Sequence, residues 1–171
     1  MMQLSIVSFF LTVFLIRLFS AVFRKYRFLD TPEVFGYQRA PIPYGMGIVL
    51  FLTFLLCALI FIPLSSKLLA VLFASLIITL VSFMDDRFKL SPFLRLGVQL
   101  LCAAFLAFSG ITVPAISNPF GDPIVFDHFL IYGYAPLAIL VAILWITFVM
   151  NAMNWLDGVP GMVSGISAIT C

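Results

Sequence analysis

The chain has 171 residues, 64% of them hydrophobic and only 9% charged, with a net charge of +2. Its mean hydropathy is +1.23. A soluble domain carries ~25% charged residues and roughly 45–50% apolar ones, so a water-soluble fold is excluded and lipid must be the solvent.

The expected class is all-α, a polytopic transmembrane bundle of about six helices forming one domain over residues 1–171, with its N-terminus outside. A bilayer core of ~30 Å takes roughly 20 apolar residues as a helix. The first run goes from Gln3 to Phe23 and is followed by Arg24, Lys25 and Arg27. It lacks a basic leader and a small-residue cleavage site, so it reads as an anchor and not a signal peptide. A second run begins after the turn Pro41-Ile42-Pro43-Tyr44-Gly45 and ends near Pro63. The third, Leu68 to Met84, stops at Asp85-Asp86-Arg87. Ser91-Pro92 reads as an N-cap with proline at the first helical position, opening a fourth run to Phe108. A loop rich in Gly, Pro, Asn and Asp covers Gly110 to Gly133. The fifth run, Tyr134 to Met150, leads into Asn151, Asn154 and Asp157, and a sixth starts after Pro160.

Alternation of these spans puts loops 24–43, 85–92 and 151–158 on one side. That side holds Arg24, Lys25, Arg27, Arg39, Arg87 and Lys89, with Arg95 just inside the fourth helix, while the other side holds Lys67 alone. Lys and Arg mark the cytoplasmic face, so the polar motifs are expected in the cytosol. After Pro160 only Gly161 to Cys171 remain, too few for a ~30 Å span. A carboxylate ending there would sit in hydrocarbon, so the sequence is expected to be the N-terminal part of a longer protein. Cys57, Cys102 and Cys171 lie in apolar runs, at spacings that fit neither a disulfide framework nor a metal cluster.

Three polar stretches can carry chemistry. Asp85 and Asp86 stand at a helix C-terminus, where the dipole disfavours anions and the two carboxylates repel each other. Arg87 and Lys89 offset this in one reading; in the other, a divalent cation or a substrate held through one does so. Oxygen ligands at a phosphate site suit Mg²⁺, with Mn²⁺ the alternative ion. Next, Asn151, Asn154 and Asp157 are spaced by three, which on a continuing helix spreads them over ~120° as one polar face. They suit a phosphate-bound metal and a sugar or base, or else form an interfacial helix end anchored by Trp155. Finally, Asp30-Thr31-Pro32-Glu33 and Arg39 through Gly47 frame a loop stiffened by proline. Its glycines at 45 and 47 let another backbone come close. Asp30 and Arg39 either face one pocket or belong to a plain connector.

Arg17 reads as a snorkelling cation, and His128 beside Asp127 as a solvated loop residue on the far side. The 20 phenylalanines read as lipid-facing packing. A nucleic-acid partner is not expected, for no basic stripe appears.

In this order, three motifs resemble the polyprenyl-phosphate N-acetylhexosamine-1-phosphate transferase family. They are Leu29-Asp30-Thr31-Pro32 with Pro41-Ile42-Pro43-Tyr44-Gly45-Met46-Gly47; Met84-Asp85-Asp86-Arg87-Phe88; and Asn151-Ala152-Met153-Asn154-Trp155-Leu156-Asp157-Gly158. The resemblance implies that Asp85 and Asp86 are paired catalytic aspartates near the lipid phosphate. It also implies that Asn151, Asn154 and Asp157 help bind the nucleotide-sugar and its metal, with Asn154 and Asp157 as ligands, and that Asp30 stands at the active-site rim; Asp30 and Arg39 are likewise expected to bind substrate. A further metal ligand is expected beyond residue 171.

The implied reaction is attack of polyprenyl phosphate on a UDP-sugar with release of UMP, in a cell membrane rich in lipid partners, with a homodimer possible. Pro160 replaces the second aspartate of the family's Asp-Gly-x-Asp-Gly run, and Phe35-Gly36-Tyr37-Gln38 stand where basic residues and a histidine are usual. Both departures favour the N-acetylglucosamine-1-phosphate branch over the lipid I-forming branch. The family's later motifs are absent, so these residues alone are expected to be inactive. The alternatives are a Mg-dependent intramembrane prenyltransferase of the aspartate-rich type, a transporter half and an inactive gene fragment. The prenyltransferase would need a third carboxylate helically spaced from Asp85 and Asp86, where Arg87, Phe88 and Lys89 follow. Transporter sites lie near the bilayer midplane, whereas these carboxylates cluster at a face.

Overall fold

A computed structural model describes residues 2–30, 40–156 and 161–170. The described residues form helices α1 (Met2–Lys25), α2 (Gly47–Phe61), α3 (Ser66–Phe88), α4 (Pro92–Phe108), α5 (Pro136–Leu156) and α6 (Met162–Thr170), with a two-stranded hairpin, β1 (Ala115–Ile116) and β2 (Ile124–Val125), between α4 and α5. This is the membrane helical bundle that the composition demands. The segments Gln3–Lys25, Ser66–Phe88 and Pro136–Leu156 are long and apolar enough to cross a bilayer, while α2 and α4 are shorter apolar helices. Much of what these helices expose is large and apolar, including Phe9, Phe10 and Phe14 on α1 and Leu140, Leu144 and Phe148 on α5. Contiguous apolar surface of this kind is rare on a soluble monomer and ordinary in lipid.

The chain divides into two compact units, Met1–Ser91 and Pro92–Cys171. In the first, α2 packs on both α1 and α3. The Thr12 hydroxyl donates to the Ser8 carbonyl at 2.6 Å and lies 3.3 Å from the Thr53 hydroxyl, linking α1 to α2. Cys57, Ala58, Ala70 and Ala74 are buried, small side chains of the kind that lets membrane helices approach closely. In the second unit α4 packs on α5 through Cys102, Ala103, Ala107, Ala138 and Ala142, all buried.

Helix ends explain where the chain turns. Arg27 (φ 54°) ends α1 in the left-handed region, with the Phe28 N–H bonded to the Phe23 carbonyl at 2.8 Å. Lys89 (φ 49°) ends α3 in the same region, its N–H on the Asp85 carbonyl at 2.8 Å. Glycine is the usual residue at such ends; here a basic side chain also offsets the negative end of the helix dipole. Two expected boundaries move. The third helix runs one turn past Met84 to Phe88, and the fifth runs through Asn151 and Asn154 to Leu156. Polar residues at a membrane face extend a helix into the interface instead of stopping it. The hairpin inside the 110–133 loop was not foreseen, because strands of two residues leave no periodic signal.

Candidate functional site

The first polar cluster lies where the connection after α1 returns to the end of α3. The Asp30 N–H donates to the Ile42 carbonyl at 2.9 Å, and the Ile42 N–H donates to Asp30 Oδ1 at 2.7 Å. Leu29 pairs antiparallel with Pro43, and the Tyr44 N–H reaches the Phe28 carbonyl at 3.2 Å. Asp30 is therefore buried at the neck of the loop and clamps its two ends together. Arg39, expected beside it, lies outside the described residues.

Gly45 completes the connection. Its N–H donates to Asp86 Oδ2 at 3.0 Å. Its φ of +73° is natural to glycine, and a Cβ there would lie 2.8 Å from two ring carbons of Phe83 and 3.2 Å from Phe28. Phe28 stacks on Phe83 with centroids 5.0 Å apart, flanked by Phe23 at 5.5 Å and Tyr44 at 6.1 Å from Phe28. This aromatic floor sets the height at which the Gly45 amide meets the last turn of α3. Gly47, the other glycine of the turn, has open space around it, and what comes close to Gly45 is the Phe83 ring and the Asp86 carboxylate, side chains of α3 where another backbone was expected.

Asp85 is half-buried and Asp86 exposed, both on the last turn of α3. The positive partner expected for the pair was a cation or a basic side chain; the group that reaches Asp86 is a backbone N–H. It occupies one edge of one oxygen and leaves Asp86 open to solvent. The sequence names both partners, but only the fold of the first loop brings them together.

The second cluster is the polar end of α5, within the second unit. Asn151 donates to Gln99 Oε1 on α4 at 2.7 Å and to the Thr147 carbonyl at 2.8 Å. Its amide therefore ties α5 to α4. Asn154 is exposed on the same helix, beside Trp155, which is 80% exposed. Asp157 lies outside the described residues. Sequence reasoning missed Gln99, although an uncharged polar residue in an apolar helix usually faces a neighbouring helix. Replacing Asn151 with Leu is expected to cost ~1 kcal/mol, the scale of interhelical hydrogen bonds in membranes. A double-mutant cycle with Gln99→Leu, read by SDS unfolding, should show coupling; additive losses would mean that the contact is not made in the bilayer.

Among the described residues, no three His, Cys, Asp or Glu side chains gather into a metal-binding group. Two adjacent carboxylates nevertheless suit Mg²⁺, which takes one or two and fills its remaining positions with water and substrate phosphate.

The sequence model for "Glycosyl transferase family 4" matches residues 68–171. The chain belongs to that family. Its match takes in Asp85, Asp86, Asn151 and Asn154 and leaves Asp30 and Gly45 outside. Among relatives, the chain is 28% identical over 104 residues to the probable undecaprenyl-phosphate N-acetylglucosaminyl 1-phosphate transferase of Bacillus subtilis, covering 61% of this chain and 27% of that protein. It is 30% identical over 108 residues to the decaprenyl-phosphate N-acetylglucosaminephosphotransferase of Mycobacterium leprae, covering 62% and 25%. Mycobacterium tuberculosis has a protein of the same name, 29% identical over 103 residues, covering 59% and 24%. The matched stretch thus spans about a quarter of each relative's length. No solved structure gives a significant match. These names agree with the resemblance that the three motifs carry.

Proposed function

We propose that this family 4 chain belongs to an enzyme that transfers N-acetylhexosamine 1-phosphate from a UDP-sugar to polyprenyl phosphate, initiating a cell-envelope glycan at the cytoplasmic face of a cell membrane. The observation that carries this reading is the Asp85–Asp86 pair, held at the end of a membrane-length helix with Asp86 anchored by Gly45 and still open. An oxygen of the lipid phosphate attacks the β-phosphorus of the UDP-sugar. One P–O bond forms, the phosphoanhydride bond breaks, and UMP leaves with the bridging oxygen and its electron pair. One anhydride replaces another, so catalysis is positioning and charge neutralisation more than covalent chemistry by the protein.

Asn154 and Asp157 would help to hold Mg²⁺, or Mn²⁺ in its place, which when bound neutralises the diphosphate charge. The Gly45 amide holds the Asp86 carboxylate in a fixed orientation, so little reordering is required when substrate arrives. Asp85 takes the remaining proton of the lipid phosphate. Asn154 and Asp157 contact the nucleotide-sugar, while Asn151 orients that end of α5 through Gln99. Arg87 and Lys89 supply a basic setting for the anionic lipid head.

The decisive assay follows labelled UMP into UDP-N-acetylglucosamine in membranes that contain the complete enzyme to which this chain belongs. Exchange that requires both polyprenyl phosphate and Mg²⁺ is expected. Consumption of a prenyl diphosphate without any nucleotide would instead identify the prenyltransferase alternative.

A further inference from the structure

At the other end of α5, about 22 Å from Asn151 at 1.5 Å per residue, the second unit carries a feature that sugar-phosphate transfer does not use. A groove of about 500 Å³ runs from the loop before α5 along that helix, lined by Phe108, Ile131, Tyr132, Tyr134, Ile139 and Leu140 among others. This is the size of a small-molecule site.

Its walls are built and not incidental. The Ile131 and Tyr134 backbones exchange hydrogen bonds of 2.8 and 3.0 Å around a two-residue turn, with Tyr132 at φ 50° and Gly133 at φ 81°. A tyrosine in the left-handed region costs roughly 1–2 kcal/mol, yet here it projects a ring that is 98% exposed. Phe108 meets Tyr134 edge to face at 6.1 Å and closes one side. Ile139 and Ile143, which line the groove, belong to or pack against the buried cluster of Ala107, Ile139 and Ala142.

We infer that this groove binds one acyl chain of a bilayer phospholipid, with the Tyr132 and Tyr134 hydroxyls at the level of its glycerol esters. Three observations select that occupant. The groove is continuous with Leu137, Leu140 and Leu144, the exposed apolar surface of a helix long enough to cross the bilayer. Tyrosine is the residue enriched at the membrane–water boundary, with its ring in hydrocarbon and its hydroxyl in the headgroup layer. Finally, residues 96–171 contain no Lys or Arg, so the segment that forms the groove offers no lysine or arginine of its own to a phosphate-headed isoprenoid, whereas the ester region of a phospholipid needs only neutral hydroxyls.

The test reconstitutes the protein in phosphatidylethanolamine–phosphatidylglycerol vesicles containing a phosphatidylcholine probe with a diazirine in the middle of one acyl chain. After irradiation, adducts are mapped by peptide mass spectrometry. Label on residues 131–143 is expected to exceed that on the α5 surface around Leu144 and Phe148 several-fold. It should survive an equimolar addition of polyprenyl phosphate. Tyr132→Gly keeps the turn, because glycine adopts this φ freely, but removes the wall; the enrichment should fall to the level of the surrounding surface. Even labelling along α5 in the wild-type protein would overturn the site. Displacement by polyprenyl phosphate would overturn the assignment to a phospholipid, and unchanged labelling in Tyr132→Gly would overturn the role of the ring.

Discussion

In the complete enzyme to which this chain belongs, replacing Asp86 with Asn should abolish most of the UMP exchange and leave the protein folded. The asparagine carbonyl can still accept the Gly45 N–H, which lies 3.0 Å from Asp86 Oδ2 in the native protein. The latch between the first loop and α3 therefore persists, and only the negative charge is lost. Losing a group that takes part in proton transfer or charge neutralisation typically lowers turnover ~10²–10⁴-fold. Asp85→Asn should fall in the same range. Asp86→Leu removes the acceptor as well and leaves the Gly45 N–H without its partner, which costs a further ~1–3 kcal/mol of stability. Comparing the three variants by exchange rate, with circular dichroism and gel filtration as controls of folding, separates the charge from the hydrogen bond. Full exchange in Asp86→Asn would remove the carboxylate from the mechanism and take the proposed function with it.

The second large effect concerns Gly45. Alanine there meets two penalties. A non-glycine residue in the left-handed region costs roughly 1–2 kcal/mol, and the native φ is +73°. Its Cβ would also lie 2.8 Å from the Phe83 ring, which cannot retreat freely because Phe28 stacks on it at 5.0 Å. Overpacking of this kind costs about 1–3 kcal/mol. Gly45→Ala is therefore expected to lower stability by roughly 2–5 kcal/mol in SDS unfolding and to swing the Asp86 carboxylate out of register. Shrinking the obstacle should restore part of the loss: Gly45→Ala with Phe83→Leu should be more stable than additivity allows. If Gly45→Ala alone is as stable as the native protein, the aromatic floor does not set the height of the turn.

Membrane character, helix order and the positions of the acidic motifs were legible in the chain itself. They depend on local quantities: apolar run length, charge at the run ends, and proline or glycine between them. Ser91-Pro92 opened α4 where capping chemistry puts it, and Pro63 with the Gly45–Gly47 turn bounded α2. Asn151 and Asn154 fell on one helix because a spacing of three survives into the interface. The ends of α3 and α5 were less legible, since a run of apolar residues records where lipid stops and not where the helix does.

What only the tertiary structure decided is which of these groups touch. Asp30, expected at the rim of the site, also clamps its own loop, because its carboxylate meets a backbone N–H twelve residues on. The partner of Asp86 is an amide of a glycine 41 positions away, and the partner of Asn151 is a glutamine 52 positions away. Backbone amides look alike in any sequence, and an uncharged polar side chain carries no label for its mate. Pairing over such distances is settled by how the helices and loops pack. The solvent of this protein was therefore written in its composition, and the shape of its site in its contacts.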